Sequence, residues 1–272
     1  YRKPIYIITA TIIIIAVFGI NQISTSGRVV DDIPQRDPMY KDLLFFEKHI
    51  NGVMPFEIQI NSKKENGIFS DNAKTLYKIK RLQKLITRDT AISKYFSRPI
   101  SVINGISFIY QAHKGGDPKY YHLPPPFELN KLKGYLKGSE KQNIAFKSFI
   151  DSSNQITRVS IQMANIGTNK ILHLRDTIKT EVYKIFEPEE YDITITGTSV
   201  VFARGTEFLI KNLFISLGLA VLLISIFIAW MFSSGKMVII TLIPNIIPLL
   251  LTAGIMGFAG IAIKPSTILI FS

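Results

Sequence analysis

The stretch ITLIPNIIPLLLTAGIMGFAG, residues 240–260, decides the fold class of this chain. It carries no charged side chain, yet it contains Pro244 and Pro248, with Asn245 directly after the first proline. A hydrocarbon core about 30 Å thick is crossed by roughly 20 apolar helical residues. The stretch therefore predicts a membrane-spanning helix that contains two prolines and an amide near its middle.

Two further apolar segments have a similar length. Residues 4–23 carry no charge, and residues 208–232 carry a single one, Lys211. The first segment is longer than the apolar part of a usual signal peptide, and no small-residue cleavage site follows it, so we expect a retained span. We also expect a fragment of a longer protein, because the chain begins at Tyr1 and stops within the apolar run STILIFS.

Basic residues predict the orientation in the membrane. Arg2 and Lys3 abut the first span, which indicates a cytoplasmic N-terminus. Residues 1–23 are then the first transmembrane helix, and residues 24–206 form an extracytoplasmic domain. Residues 207–272 are the second and third transmembrane helices and the start of a fourth. The expected location is the cell (inner) membrane, as a multi-pass protein with its large domain on the periplasmic side.

The formal net charge of +12 comes from 32 basic and 20 acidic residues. A basic domain can indicate nucleic-acid binding, but a domain flanked by spans meets anionic lipid headgroups instead. The positive charge could also serve solubility alone. We therefore expect membrane lipids rather than nucleic acid as partners. The chain has no cysteine, which excludes disulfides and thiol chemistry.

The polar region between the first two spans alternates between strand and helix periodicity. A helix starting at Asp37 and Pro38 precedes a strand at MPFEIQI, and a helix capped by Ser70 precedes a returning strand at AISKYF. The order then recurs as the strand RVSIQMA, the helix GTNKILHLRDTIKTEVYKIF and the strand YDITITG. Between the two units lie a loop rich in Gly and Pro and two short helices, predicted at residues 127–136 and 140–150.

Two strand–helix–strand units predict a split, ferredoxin-like α+β layer with helices on one face of a sheet. In this arrangement Ile58, Val159 and Ile161 share one core beneath two helices. The fold class expected for the whole chain is membrane α-helical spans plus an α+β extracytoplasmic domain.

Residue types that carry catalysis are not grouped in recognisable motifs. The four histidines lack a metal-ligand spacing. Ser199 lies in GTSVV, which lacks the second glycine of a nucleophile elbow. The adjacent carboxylates Asp31 and Asp32 fit paired catalytic acids less well than an exposed turn before Pro34. We therefore predict no enzyme activity, no cofactor and no metal site.

The prolines make the third span the candidate functional segment. Proline removes a backbone donor, so Pro244 frees the carbonyl of Ile240 and Pro248 frees that of Pro244. Lipid cannot satisfy freed polar groups, so neighbouring helices, side chains or water must do so. We expect this helix to pack against the second and fourth spans, as a fixed kink or as a moving hinge. Its kink and packing residues are Pro244, Asn245, Pro248, Gly254 and Gly257.

The layout resembles the first half of a resistance–nodulation–division (RND) superfamily permease, in its MMPL and Patched-like branch. Three stretches carry the resemblance: YDITITGTSVVF before the second span, LIPNIIPLLLTAGIMGFAGIAI as the third, and KPSTILIFS opening the fourth. They are similar to that branch's strand ending in a T/S-G motif, its proline-bearing third span and its fourth span. The order of these stretches carries more weight than any one of them.

This resemblance implies proton-driven export of lipids or other hydrophobic molecules through a porter-like domain. The family couples protons through carboxylates on the fourth span and its counterpart, and no residue of this chain matches those positions. The implied partners are a hydrophobic substrate, the remaining half of the same polypeptide and, as an open option, further copies of the chain. The alternatives are a sterol- or lipid-sensing protein, an accessory subunit of protein translocation, and a membrane-anchored interaction domain.

Overall fold

A computed structural model of the chain describes residues 2–22, 33–34, 36–50, 52–138 and 148–261. These residues divide into an α+β unit, residues 33–166 and 170–201, and a helical unit that holds the rest. The architecture combines helices with a small antiparallel sheet and two long apolar helices. The predicted class, α+β together with helices able to span a membrane, is confirmed at this level.

The sheet of the α+β unit contains three strands: β1 (Met54–Asn61), β2 (Ile156–Met163) and β3 (Asp192–Thr196). β1 is central and pairs antiparallel with both neighbours, in the order β2-β1-β3. In this register Ile58 lies opposite Val159, and Phe56 lies opposite Ile161. All four side chains are buried, so the predicted core positions Ile58, Val159 and Ile161 are confirmed.

Two helices precede the sheet in the chain. The helix α1 (Arg2–Ile20) belongs to the helical unit, and α2 (Pro38–Ile50) begins where Asp37 Oδ1 accepts a hydrogen bond from Met39 N at 2.8 Å.

Helices with apolar stripes complete the core of the α+β unit. The helices α3 (Lys74–Arg88) and α7 (Thr168–Tyr183) follow β1 and β2 respectively. Their buried residues recur at helical spacing: Leu76, Ile79, Leu82 and Ile86 in α3, and Ile171, Leu174, Ile178 and Val182 in α7.

The predicted Ser70 cap of α3 is wrong. Ser70 Oγ donates to Gly67 O instead, and three consecutive residues, Asp71, Asn72 and Ala73, adopt φ values of 51°, 54° and 65° before α3 begins. This left-handed turn separates Ser70 from the helix. The backbone amides of the first helical turn therefore lie beyond the reach of the Ser70 hydroxyl.

The predicted strand AISKYF is also wrong over most of its length. Its first residues form the short helix α4 (Thr90–Ser93), because Asp89 accepts a hydrogen bond from Ala91 N and caps it. Only the following segment reaches the sheet, where Phe96 bridges Met163 and Ile100 bridges Ser160, both antiparallel. An edge segment is thus added beside β2.

The segment between the two halves contains α5 (Val102–His113), which the sequence reading did not predict, and α6 (Pro126–Gly138). A capping box starts α5: Ser101 Oγ accepts from Ile103 N, and Asn104 Oδ1 accepts from Ser101 N. The helix predicted at 127–136 lies within α6. Most of the helix predicted at 140–150 lies outside the described residues, and Ile150 at its end forms a bridge with Thr157.

Among the described residues, two helices are long and apolar enough to cross a membrane: α8 (Thr198–Phe232) with 35 residues and α9 (Gly235–Phe258) with 24. Only 6% of the most apolar window of each is buried, which differs from the mostly buried core helix of a water-soluble protein. Exposing this much apolar surface to water is unfavourable, and lipid removes that cost. In α1 the apolar part, Tyr6–Ile20, is shorter, and the predicted start of a fourth span lies outside the described residues.

Candidate functional site in the apolar helices

α9 continues as one helix through both of its prolines. Asn245 Nδ2 donates to Thr241 O at 3.1 Å, and Thr252 Oγ1 donates to Pro248 O at 2.8 Å. Each polar side chain is thus bonded to a carbonyl one turn earlier in the same helix. Neither bond reaches the two carbonyls that the prolines free.

The proline-bearing part of α9 is exposed. Ile240, Pro244 and Asn245 all present exposed side chains. In a hydrocarbon environment the freed carbonyls and the remaining hydrogen-bonding capacity of the Asn245 amide require a polar partner. This face can therefore accept a neighbouring helix or a water-lined path, whereas a purely apolar neighbour would leave polar groups unsatisfied.

The small-residue end of α9 packs closely on α1. Gly254 is buried, and a Cβ added to it would lie 2.6 Å from Ala16 Cα. In the reverse direction, a Cβ on Gly19 would lie 2.3 Å from Gly254 O and 2.8 Å from Phe258 Cε2. Such distances leave no room for any side chain, so the two helix backbones touch. Gly257, one turn further on, is also buried.

This packing differs from the expected neighbours of α9, the second and fourth spans. Of the small residues named from the sequence, Gly254 makes this close approach, and the helix it approaches is α1. Ala16 and Gly19, three residues apart in AVFGI, are the matching small residues on α1. Their spacing is a detectable signal that the sequence reading did not use.

The Thr196–Gly197 pair links β3 to α8. Gly197 has φ of 107°, and a Cβ there would lie 2.5 Å from Pro55 O. Only glycine fits this combination of positive φ and close backbone approach. Ser199, in the first turn of α8, is buried and donates to Pro55 O at 2.8 Å. Ser199 therefore tethers the start of α8 to the central strand.

Charged groups of the α+β unit cluster where α3 meets the turn before β3. Lys78 is ion-paired with Glu187, and Lys74 with Glu190 at 2.8 Å. Hydrogen bonds from these lysines lower the pKa of both carboxyl groups below the ordinary glutamate value. Lys78 Nζ also lies 4.5 Å from the ring centroid of Tyr191. The cluster ties α3 to the strand connection.

A second cluster holds the loop between α5 and α6. Lys114 Nζ donates to Glu128 Oε1 at 3.2 Å and lies 5.5 Å from the ring centroid of Tyr110 and 5.6 Å from that of Tyr120. Interaction with Glu128 and burial raise the pKa of Tyr110 to about 12. The His122 ring packs edge-on against Tyr110. Within the described residues, no three His, Asp or Glu side chains are grouped as a metal site would require.

No protein-family model matches the chain, and no curated protein matches it.

Proposed function

We propose that this chain is the N-terminal half of an RND-type transporter of the MMPL and Patched-like branch, which exports lipids or other hydrophobic molecules at the expense of a proton gradient. The observation that carries the proposal is the passage from sheet to span. β3 ends at Thr196, Gly197 makes a turn that only glycine fits, and α8 begins at Thr198. This order of strand, Thr–Gly pair and apolar helix supports the proposed relationship to that branch.

The α+β unit is proposed to be a ferredoxin-like, porter-like domain. Counting the edge segment at Phe96 and Ile100, neighbouring segments follow the order edge, β2, β1, β3, all antiparallel. β1–α3–edge and β2–α7–β3 are then two strand–helix–strand units whose strands alternate across the sheet. This order supports the split arrangement expected from two such units.

We further propose a multi-pass protein of the cell (inner) membrane with α1, α8 and α9 as spans. The α+β unit then lies on the extracytoplasmic side. The charge pattern supports this orientation, since Arg2 and Lys3 lie at the start of α1 and Lys236 lies in the first turn of α9, directly after its connection to α8. The exposed apolar side chains of α8, among them Leu223, Phe227 and Trp230, support contact with lipid or with further helices.

The test uses the full-length protein in proteoliposomes loaded with a fluorescent lipid analogue. An imposed proton gradient should increase export of the analogue, and a proton ionophore should abolish the increase. Protein that binds the analogue with the same affinity but moves none of it under either gradient polarity would contradict pumping and favour a lipid sensor. Liposomes without protein provide the background rate.

A further inference from the structure

Two lysine side chains converge on one tyrosine beside the end of β2. Lys170 Nζ lies 4.4 Å from the ring centroid of Tyr95, and Lys94 Nζ lies 5.0 Å from it. The two ammonium groups come from different elements, because Lys94 follows α4 directly and Lys170 lies in α7. Their convergence is therefore a property of the folded α+β unit and not of one helix surface.

The backbone holds Tyr95 in place between them. Tyr95 N donates to Ile92 O at 3.0 Å, and Tyr95 O accepts from Ala164 N at 2.9 Å. The side chain of Tyr95 is half-buried, whereas both lysines are exposed. The Tyr95 side chain thus extends from a hydrogen-bonded backbone position, with two solvent-exposed ammonium groups beside its ring.

These two cations have no acidic partner among the described residues. Every ion pair in that part of the chain involves other basic residues, such as Lys74, Lys78 and Lys114. Two like charges at one ring repel each other, and a bound anion would relieve this repulsion. Interaction with Lys170, and less strongly with Lys94, lowers the pKa of the Tyr95 hydroxyl, so both ammonium groups act on the same atom.

We propose that Lys94, Tyr95 and Lys170 form a binding site for a phosphate group. Two ammonium groups supply about two positive charges, which match the −1.5 to −2 charge of a phosphate monoester near neutral pH. The tyrosine hydroxyl adds a third donor direction. A carboxylate would neutralise only one of the two cations. The site does not depend on the transport function proposed above.

The phosphate can come from a soluble compound or from a lipid headgroup, and one experiment separates the two sources. The 272-residue chain is labelled with 3-fluorotyrosine in a non-ionic detergent, and the Tyr95 resonance is identified by its loss in Tyr95→Phe. Inorganic phosphate is then titrated at constant ionic strength, so that screening does not change. Micelles doped with phosphatidic acid form the second arm, and micelles with phosphatidylcholine serve as its reference.

We expect a saturable shift of the Tyr95 resonance, weakened at least tenfold in the Lys94→Gln, Lys170→Gln double variant. The matched control is Lys179→Gln, since Lys179 Nζ lies 6.0 Å from the Tyr183 ring as a single lysine on a single tyrosine in the same helix. A response to phosphatidic acid alone assigns the site to a headgroup, and a response to both assigns it to phosphate in general. No saturable shift in either arm, or equal weakening in the control, overturns the proposal.

Discussion

Gly254 and Ala16 bring the backbones of two apolar helices into contact. A Cβ on Gly254 would lie 2.6 Å from Ala16 Cα and 2.8 Å from Ala16 O. Because the nearest atoms belong mostly to backbone, no rotamer change can make room for a side chain. The contact between α1 and α9 therefore depends on the absence of one methyl group.

Replacing Gly254 with Leu should separate α1 from α9. Overpacking typically costs about 1–3 kcal/mol, and here the helices themselves must move. We expect a clear drop in the thermal midpoint of the chain in detergent. Gly218→Leu is the matched control, because a Cβ at Gly218 in α8 meets nothing within 4 Å. Equal midpoints for the two variants would show that the close approach contributes nothing to stability.

Truncating Ile161 to Ala should destabilise the α+β unit by roughly 2–5 kcal/mol, because the side chain is 1% exposed and leaves a cavity. Hydrogen exchange of the β1 amides measures this free energy locally. Arg158→Ala on the same strand removes an exposed ion pair with Glu57 and a hydrogen bond from Arg158 Nε to Ser148 O, and we expect a cost of about 1 kcal/mol. A cost for Ile161→Ala no larger than that of Arg158→Ala would disprove its place in the core.

The α+β unit should lose stability in acid through the Lys78 cluster. Glu187 and Glu190 have pKa values below the ordinary value of 4.5, so their ion pairs stabilise the folded state above that pH. This contribution disappears as the pH falls through the lowered pKa values. Lys78→Met should therefore flatten the decline in unfolding free energy below about pH 5.

The control for that experiment is Lys80→Met on the exposed side of α3, since Lys80 takes part in no ion pair among the described residues. It should keep the wild-type decline. Identical pH profiles for Lys78→Met and wild type would mean that the cluster contributes nothing to acid sensitivity.

Cysteine labelling tests the proposed orientation, and the chain offers no background because it has no cysteine of its own. Cysteines at the exposed positions Lys64 and Lys119 should react with a membrane-impermeant reagent in intact cells. A cysteine at Lys236, in the first turn of α9, should react only after lysis. The opposite pattern would invert the topology.

Replacing the prolines of α9 tests whether they form a fixed kink or a moving hinge. If the bend moves during transport, Pro248→Ala should lower transport by the full-length protein while expression and membrane insertion stay unchanged. If the bend is static, the Pro244→Ala, Pro248→Ala double variant should transport normally. The rate of lipid-analogue export in proteoliposomes, normalised to inserted protein, decides between them.

The periodicity of apolar residues predicted the three strands and the two helices that pack on the sheet. β1, β2 and β3 alternate every second residue, and the stripes of α3 and α7 recur at helical spacing, so both were readable. The capping box of α5 was missed because Asn104 stands where Glu or Gln is the usual signal. The strand expected at AISKYF gave way to α4, because the Asp89 cap stabilises helix there.

Contacts between distant segments were not readable in the same way. The glycines of α9 indicated close packing, yet nothing local distinguishes α1 from another span as the neighbour. Likewise, Lys94 and Lys170 come together only because the end of β2 carries Ala164 to Tyr95. Contacts of this kind depend on how distant segments of the chain come together. The residues around either partner do not indicate which distant residue it will meet.

The left-handed turn before α3 has an evolutionary consequence. Asp71 and Asn72 are exposed, and neither side chain is in an ion pair or side-chain hydrogen bond within the described part of the chain. Their φ values of 51° and 54° nevertheless favour glycine, asparagine and aspartate, and disfavour β-branched residues. Orthologues should therefore draw these two positions from a very small set of amino acids while the surrounding surface drifts freely.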